Sequence, residues 1–392
     1  MTQPTPTPPT PTPTPTTPTR TTPPTTLPAT TLAAVMTGRR RMELRELPVP
    51  PVNPEDGLLA VEAAGVCGAD VGFYGQDLSP RVLGHENVGI VAAAGRIAQD
   101  RWGVREGDRV AIEEYLPCGH CDFCRSGEYR SCLESDASAN PDALRFGSTP
   151  LTTAPALWGG YSQYLYLHAR SVLHPLPSSI PAVQATLALP IGNGYQWTYL
   201  DGGVGPGDCV LIFGPGQQGL ACVLAAREAG AGQIIIVGLE RDAARLAAAT
   251  KLGAHHTLVA GEDLPERVRA IAGPAGVDVT IDTAAGNEQT VGQALDLTRK
   301  RGRLVFPAAT KRPLAGVDFF KITRKHLTVK GARGHSYAAV EWAIALIGSQ
   351  RYPLDLMCSL ECGLEDADRA VRGTAGELDI PVIHAAVLPQ PR

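Results

Sequence analysis

The sequence predicts an α/β protein of two unlike parts: a barrel of short β-strands, then a parallel β-sheet layered with helices. Three observations carry this expectation. Between Leu32 and Leu189, short apolar runs such as LLAVEAAGV, NVGIVAAAG, DRVAI and YSQYLYL are broken by Gly, Pro and Asp, as in a sheet of short strands. After Pro190, apolar runs suited to buried strands (CVLIFG, QIIIVG, HHTLVA, VDVTIDT, RLVFPA) alternate with helical stretches (LACVLAAREAGA, RDAARLAAATKLGA, NEQTVGQALDLTRKRG). Strand–helix alternation of this kind implies βαβ units and a parallel sheet. The third is the turn Gly214-Pro215-Gly216-Gln217-Gln218-Gly219, set between CVLIF and LACVLAAREAGA.

The elements follow in order. Residues 1–31 are almost entirely Thr and Pro, with little to bury and few backbone donors for helix or sheet, so a disordered, partly polyproline II tail is expected. A secretory signal is not expected there, since the tract has neither an apolar core nor a basic start. The folded chain is expected to begin near Leu32, with a β-barrel region over 32–189 and a parallel-sheet region over 190–335. Beyond KHLTVKGARG, the helix AVEWAIALI and the run PVIHAAVLP are read as a return to the first region, over 336–392.

A chain of 392 residues has room for two full cores. Its hydrophobic content of 44% is that of an ordinary globular protein, and a net charge of −4 gives no reason to expect nucleic acid or an anionic membrane as partner. No apolar run approaches the ~20 residues that span a bilayer.

Cys118, Cys121, Cys124 and Cys132 follow the spacing C-x2-C-x2-C-x7-C within a segment at 117–133. Four thiolates so placed can close a tetrahedron around zinc, a structural site with no position left for substrate. The ferredoxin run has a last gap of about three residues and a following Pro. Here the gap is seven and Leu133 follows. Paired disulfides belong to small secreted scaffolds. Zinc is therefore the expected ligand, and His120, inside the knuckle, a loop residue. Cys209, Cys222, Cys358 and Cys362 are expected as free thiols in a reducing cytoplasm.

The glycine turn has the strand–G-x-G-x-x-G–helix context of a dinucleotide site. Gly214 permits the tight turn, Gly216 lets a pyrophosphate approach, and Gly219 allows close packing of helix on strand, where the helix N–H groups attract phosphate. An acid normally ends the next strand and takes the ribose hydroxyls. In QIIIVG that place is held by Gly238, followed by Leu239, Glu240 and Arg241. Without the carboxylate a 2′-phosphate is not repelled and Arg241 can pair with it, whereas Glu240 can replace part of the missing acid. The balance leans to NADP over NAD.

Upstream lie Gly65-Val66-Cys67-Gly68-Ala69-Asp70 and Gly84-His85-Glu86-Asn87-Val88-Gly89. With GDRVAI, the four-cysteine segment, Gly159-Gly160-Tyr161 and the glycine turn after them, the order resembles the zinc-dependent alcohol dehydrogenases of the medium-chain dehydrogenase/reductase superfamily, in their sorbitol/threonine dehydrogenase-like branch, over residues 32–390. The resemblance implies a GroES-like catalytic domain, a Rossmann cofactor domain and a cleft between them. It further implies that Cys67 and His85 bind a catalytic zinc, that Glu86 can complete the shell, and that Asp70 orients His85. Asn193, in Gly192-Asn193-Gly194, falls near the segment that contacts the nicotinamide.

The chain departs from that pattern at two places. The family's third zinc ligand falls near Leu189-Pro190, and Leu189 cannot bind metal. The relay hydroxyl and histidine fall on Ala69 and Gly72, which carry no proton, leaving Glu86, a zinc-bound water or Tyr74 as acceptors. The leading expectation is a zinc enzyme passing hydride between NAD(P) and an alcohol or carbonyl substrate. The alternatives are a reductase of a conjugated C=C or C=N bond on the same fold, and a non-catalytic nucleotide-binding protein. Family habit implies a cytoplasmic homodimer or homotetramer.

Overall fold

The computed structural model describes residues 26–284, 288–307, 313–314 and 316–390. The expected tail therefore lies outside the described residues as far as residue 25. Its last residues are structured, because the first strand, Thr30–Gly38, starts ahead of Leu32 and pairs antiparallel with Arg41–Pro48.

The first region is a curved set of short antiparallel strands. Gly57–Gly65 and Glu86–Ala94 form its spine, followed by Arg109–Ile112 and Leu173–Pro175, with Tyr164–Leu167 paired to Gly57–Gly65 on its other edge. Register shifts between Leu58 and Leu59 and between Val61 and Ala63 bend the central pair, as bulges do at barrel corners. The end of the chain closes this sheet: Cys358–Cys362 runs parallel to His384–Val387, which pairs antiparallel with Gly57–Gly65. Trp158, Tyr161, Phe146, Leu59 and Val61 fill the interior.

The second region is a six-stranded, wholly parallel sheet. In chain order its strands are Cys209–Phe213, Gln233–Gly238, His256–Val259, Val277–Asp282, Thr298–Phe306 and Thr328–Gly331. Their spatial order is 3-2-1-4-5-6, the doubly wound arrangement. The crevice beyond the carboxyl ends of the first and fourth strands is where such sheets bind nucleotides. CVLIF is buried at every position, as a central strand covered on both faces requires. One boundary differs from expectation. The helix read through Gly302 is Glu288–Leu297, and TRKRG opens the next strand, where Thr298 hydrogen-bonds Thr280 of the neighbouring strand at 2.7 Å. Cross-strand pairing overrides the helical propensity of Arg and Lys.

The helices Ala188–Tyr195 and Tyr337–Gly348 join the two regions. Gly194 lies against Gln217–Glu228, where a Cβ would come within 2.4 Å of the Ala221 carbonyl carbon, and Gly192 lies against Val340. Among the described residues no helix is long and apolar enough to cross a membrane.

Candidate functional site

Cys67 caps the short helix Gly68–Tyr74, and His85 and Glu86 enter the strand Glu86–Ala94, whose partner strand ends at Gly65. The strand pairing thus brings the two sequence motifs together. One donor atom each from Cys67, His85 and Glu86 lies within 4.8 Å of the others. Asp70 is wholly buried and accepts the backbone N–H of Cys67 at 2.9 Å and of Gly84 at 3.2 Å. His85 Nδ1 stands 3.5 Å from Asp70 Oδ1. A proton on Nδ1, held toward Asp70, leaves the Nε2 lone pair for a metal.

Burial penalises every charge at this point. It pushes the Glu86 carboxyl up to about 8, with Asp70 and Glu114 adding to the shift and His85 opposing it. The Cys67 thiol is raised by burial and then by Glu86. Burial acts to lower His85, but the negative charges of Asp70 and Glu114 outweigh it and leave the imidazole well above its usual value. Glu86 Oε2 is buried with no hydrogen-bond partner among the described residues. A sulfur, an imidazole and an orphaned carboxylate oxygen converging in one buried place are a donor set that suits zinc.

The four-cysteine segment fits metal on separate grounds. Cys121 and Cys124 sulfurs are 3.5 Å apart and those of Cys118 and Cys124 3.8 Å, far beyond a disulfide bond and close to the ~3.8 Å edge of a tetrahedron with Zn–S bonds of about 2.3 Å. All four sulfurs lie within 4.8 Å of one another. Gly119, at φ +80°, makes the first knuckle in the left-handed region that a side chain would resist. The backbone N–H groups of Cys118 and Cys121 point at Cys132 and Cys118 sulfurs, each at 3.3 Å. His120 is exposed with its Nδ1 3.0 Å from the Cys118 carbonyl oxygen, as expected of a loop residue.

The glycine turn is built as a nucleotide cradle. Gly214 has φ +92°, nothing lies within 4 Å of a Cβ placed on Gly216, and a Cβ on Gly219 would fall 1.8 Å from the Gly214 carbonyl oxygen. Gln218 Oε1 is buried there without a hydrogen-bond partner among the described residues. These features fit a dinucleotide pyrophosphate. A Cβ on Gly238 would stand 2.8 Å from Pro215 Cγ, so the ring of the turn's own proline occupies the place of the missing acid. The nearby Asp242 is engaged elsewhere, accepting from Leu239 N–H at 2.9 Å and Arg245 at 3.1 Å, whereas Glu240 and Arg241 are exposed.

One expectation, that for Tyr74, changes, and the placing of Leu189 and Tyr161 bears on the same centre. Leu189 is packed in the core between the two regions, so the three-residue donor set gains nothing from it. Tyr74 does not face the centre: Arg40 lies 5.8 Å over its ring, and Asp368, Arg372 and Glu377 are its other charged neighbours. Tyr161 is the phenol beside the centre. Burial first, then the charges of Asp70, Glu86 and Cys67, raise it well above its usual value, so it keeps its proton.

Two buried networks were not read from the sequence. Glu113, wholly buried, receives the Tyr129 hydroxyl from the four-cysteine segment, His174 Nε2 at 3.1 Å and His335 Nε2 at 2.8 Å. His335 Nδ1 in turn meets Asn193 Oδ1 at 2.9 Å, which anchors the expected nicotinamide-side residue. The second network runs from Gln217 to Glu86 and His384. Single histidines and glutamines far apart in sequence carry no spacing that would announce either.

The comparisons with known proteins agree with this geometry. Residues 53–178 match the family model described as "Alcohol dehydrogenase GroES-like domain", and 219–349 the model "Zinc-binding dehydrogenase". The chain is 37% identical over 367 residues to "Probable alcohol dehydrogenase adh" of Mycobacterium tuberculosis, covering 91% of this chain and 98% of that protein. It is 34% identical to sorbitol dehydrogenase of Bacillus subtilis, over 72% of this chain and 77% of the relative. Among solved structures, alcohol dehydrogenase TADH from Thermus sp. ATN1 superposes with a TM-score of 0.78 at 26% identity, covering 92% of this chain and all of that one. The chain belongs to the zinc-dependent alcohol dehydrogenase family of the medium-chain dehydrogenase/reductase superfamily, oxidoreductases that pass hydride between NAD(P) and an alcohol or its carbonyl.

Proposed function

We propose that this chain is an NADP-preferring alcohol or polyol dehydrogenase with two zincs, one held by Cys67, His85 and Glu86 and one by Cys118, Cys121, Cys124 and Cys132. The observation that carries the reading is the convergence of one donor atom each from Cys67, His85 and Glu86 to within 4.8 Å of one another. When bound, zinc there supplies Lewis acidity toward the substrate oxygen, and the nicotinamide accepts or returns the hydride.

The protein's own groups do the rest. Asp70 holds His85 in one tautomer, and Gly214, Gly216, Gln217, Gln218 and Gly219 present the turn to the pyrophosphate. Exposed Arg241 and the absence of an acid at Gly238 favour a 2′-phosphate. Asn193, fixed by His335, borders the nicotinamide. The substrate hydroxyl must lose a proton, and neither Ala69 nor Gly72 can take it. Tyr74 faces Arg40, and Tyr161 is held protonated. Of the acceptors open to the sequence, a zinc-bound water and Glu86 remain, and we assign the proton to Glu86, the carboxylate at the centre itself. The exposed edge strand Thr328–Gly331 of the parallel sheet suits pairing with a second copy, so a cytoplasmic homodimer or homotetramer is the assembly proposed.

The test is Glu86→Gln, assayed for alcohol oxidation across pH with the zinc content of each preparation measured. The expected result is a fall in kcat of about 10²–10⁴-fold, as loss of a general base brings, with the rising limb of the pH profile gone. Survival of that limb in a zinc-loaded Glu86→Gln enzyme overturns the assignment.

A further inference from the structure

Gln217 belongs to the glycine turn by sequence, yet its side chain does not face the crevice. It is buried, and its Nε2 lies 3.4 Å from Glu86 Oε1 while its Oε1 lies 2.7 Å from His384 Nδ1. His384, on the last strand of the chain, is wholly buried and has its Nε2 2.7 Å from the Thr186 hydroxyl. Burial lowers this imidazole to about 4, so it is neutral and has one N–H to give. With that proton on Nδ1, His384 donates to Gln217 Oε1 and Gln217 Nε2 donates to Glu86 Oε1, while the Thr186 hydroxyl at the far end lies 2.7 Å from both His384 Nε2 and the Val183 carbonyl. Hydrogen bonds aligned in series polarise one another and end here on a carboxylate. The backbone has made room for the arrangement. A Cβ on Gly65 would fall 2.7 Å from Glu86 Oε2 and 2.8 Å from His384 Cε1.

The chain splits the two oxygens of Glu86. Oε1 is held by Gln217, Oε2 has no hydrogen-bond partner among the described residues, and a carboxylate oxygen of Glu86 lies within 4.8 Å of the Cys67 and His85 donor atoms. The residue holding Oε1 is the first of the helix Gln217–Glu228, directly after Gly216, where backbone N–H groups receive a pyrophosphate. A ligand that orders this turn therefore orders the group that orients a metal ligand.

The geometry points to Gln217 as a positioning residue that couples the two sites: dinucleotide on the glycine turn tightens metal at Cys67–His85–Glu86, and metal tightens the dinucleotide by the same factor. The inference rests on the reading of that triad as a metal centre. The coupling is thermodynamic, so it is reciprocal and measurable without turnover. Residues that orient a metal ligand change metal affinity by about 10–100-fold when removed.

The test uses the full chain, the variants Gln217→Leu and Gln217→Asn (the latter a methylene too short to reach both partners), and Cys67→Ser as reference. Zinc affinity at the open centre is read by chelator competition, as the component lost in Cys67→Ser, with and without saturating NADPH. NADPH affinity is read by its fluorescence, with and without zinc. In the native chain NADPH is expected to raise zinc affinity about tenfold, and zinc to raise NADPH affinity equally. Both variants are expected to hold zinc about tenfold more weakly at this centre, to keep the four-cysteine zinc, and to lose the mutual effect. In Co²⁺-loaded protein, NADPH should shift the visible cobalt absorption of the native chain and not of the variants. Undiminished coupling in Gln217→Leu and Gln217→Asn overturns the proposal while leaving the metal centre intact. A Cys67→Ser chain that binds as much zinc as the native one defeats the metal-centre reading itself, which separates the two failures.

Discussion

Glu86 and Cys67 are both protonated more readily than their ordinary values allow, and both must give up their protons to bind a cation. Metal and protons therefore compete at the open centre. Since Glu86 titrates near 8 and Cys67 above its usual value, zinc affinity should climb as pH rises from 6 to 9, by about tenfold per unit for each proton displaced. Chelator competition across that range checks it, and a flat response would remove these two residues from the ligand set. A second prediction concerns Gly238. The Pro215 ring leaves no room for a side chain there, so Gly238→Asp alone should destabilise the chain. In a Pro215→Ala background the same substitution should fold and move cofactor preference toward NAD, seen as a changed ratio of kcat/KM for the two cofactors.

At the scale of the element, the four-cysteine segment and the buried carboxylate beside it form one unit. Tyr129 reaches from that segment to Glu113, which also takes two histidines. Burial acts to raise the Glu113 carboxyl, but His335 and His174 outweigh it and hold it well below its usual range, while the carboxylates Glu113 and Glu341 raise His174 against its own burial. A carboxyl lowered on folding stabilises above its unfolded value of about 4.5, and an imidazole raised on folding stabilises below its unfolded value of about 6.5. The cluster's contribution is thus largest between those values, fading as acid reaches Glu113 and as pH rises through the raised value of His174. Glu113→Leu strands three donors and should cost about 3–5 kcal/mol, measured by denaturant unfolding at pH 6. Cys132→Ser, which takes one thiolate from the proposed zinc site, should remove hydrogen-exchange protection from 117–133 and leave the parallel sheet protected.

Across the whole molecule, what could be read from the sequence is what depends on short-range pattern. The four cysteines, the glycine turn and the period of the strands lie within runs of a few residues, and each turned up where its spacing implied. Long-range pairings were not legible. Nothing in the local pattern joins His384 to Gln217, or His335 to Glu113, because two distant segments meet only once the sheet has closed on its last strand. Tyr74 was misplaced for the same reason: the helix Gly68–Tyr74 packs against Ala367–Thr374, a contact between segments far apart in sequence. The opening TRKRG of the strand Thr298–Phe306 was read as the end of a helix, and pairing with the neighbouring strand overrules the helical propensity of its charged residues.

Whether Cys67, His85 and Glu86 form a working metal centre is decided by metal stoichiometry measured beside turnover. Elemental analysis of the native chain should give two zincs per chain. Cys67→Ser should give one, with alcohol oxidation lost and NADPH still bound. A native chain holding one zinc, with Cys67→Ser keeping both that zinc and its turnover, would contradict it.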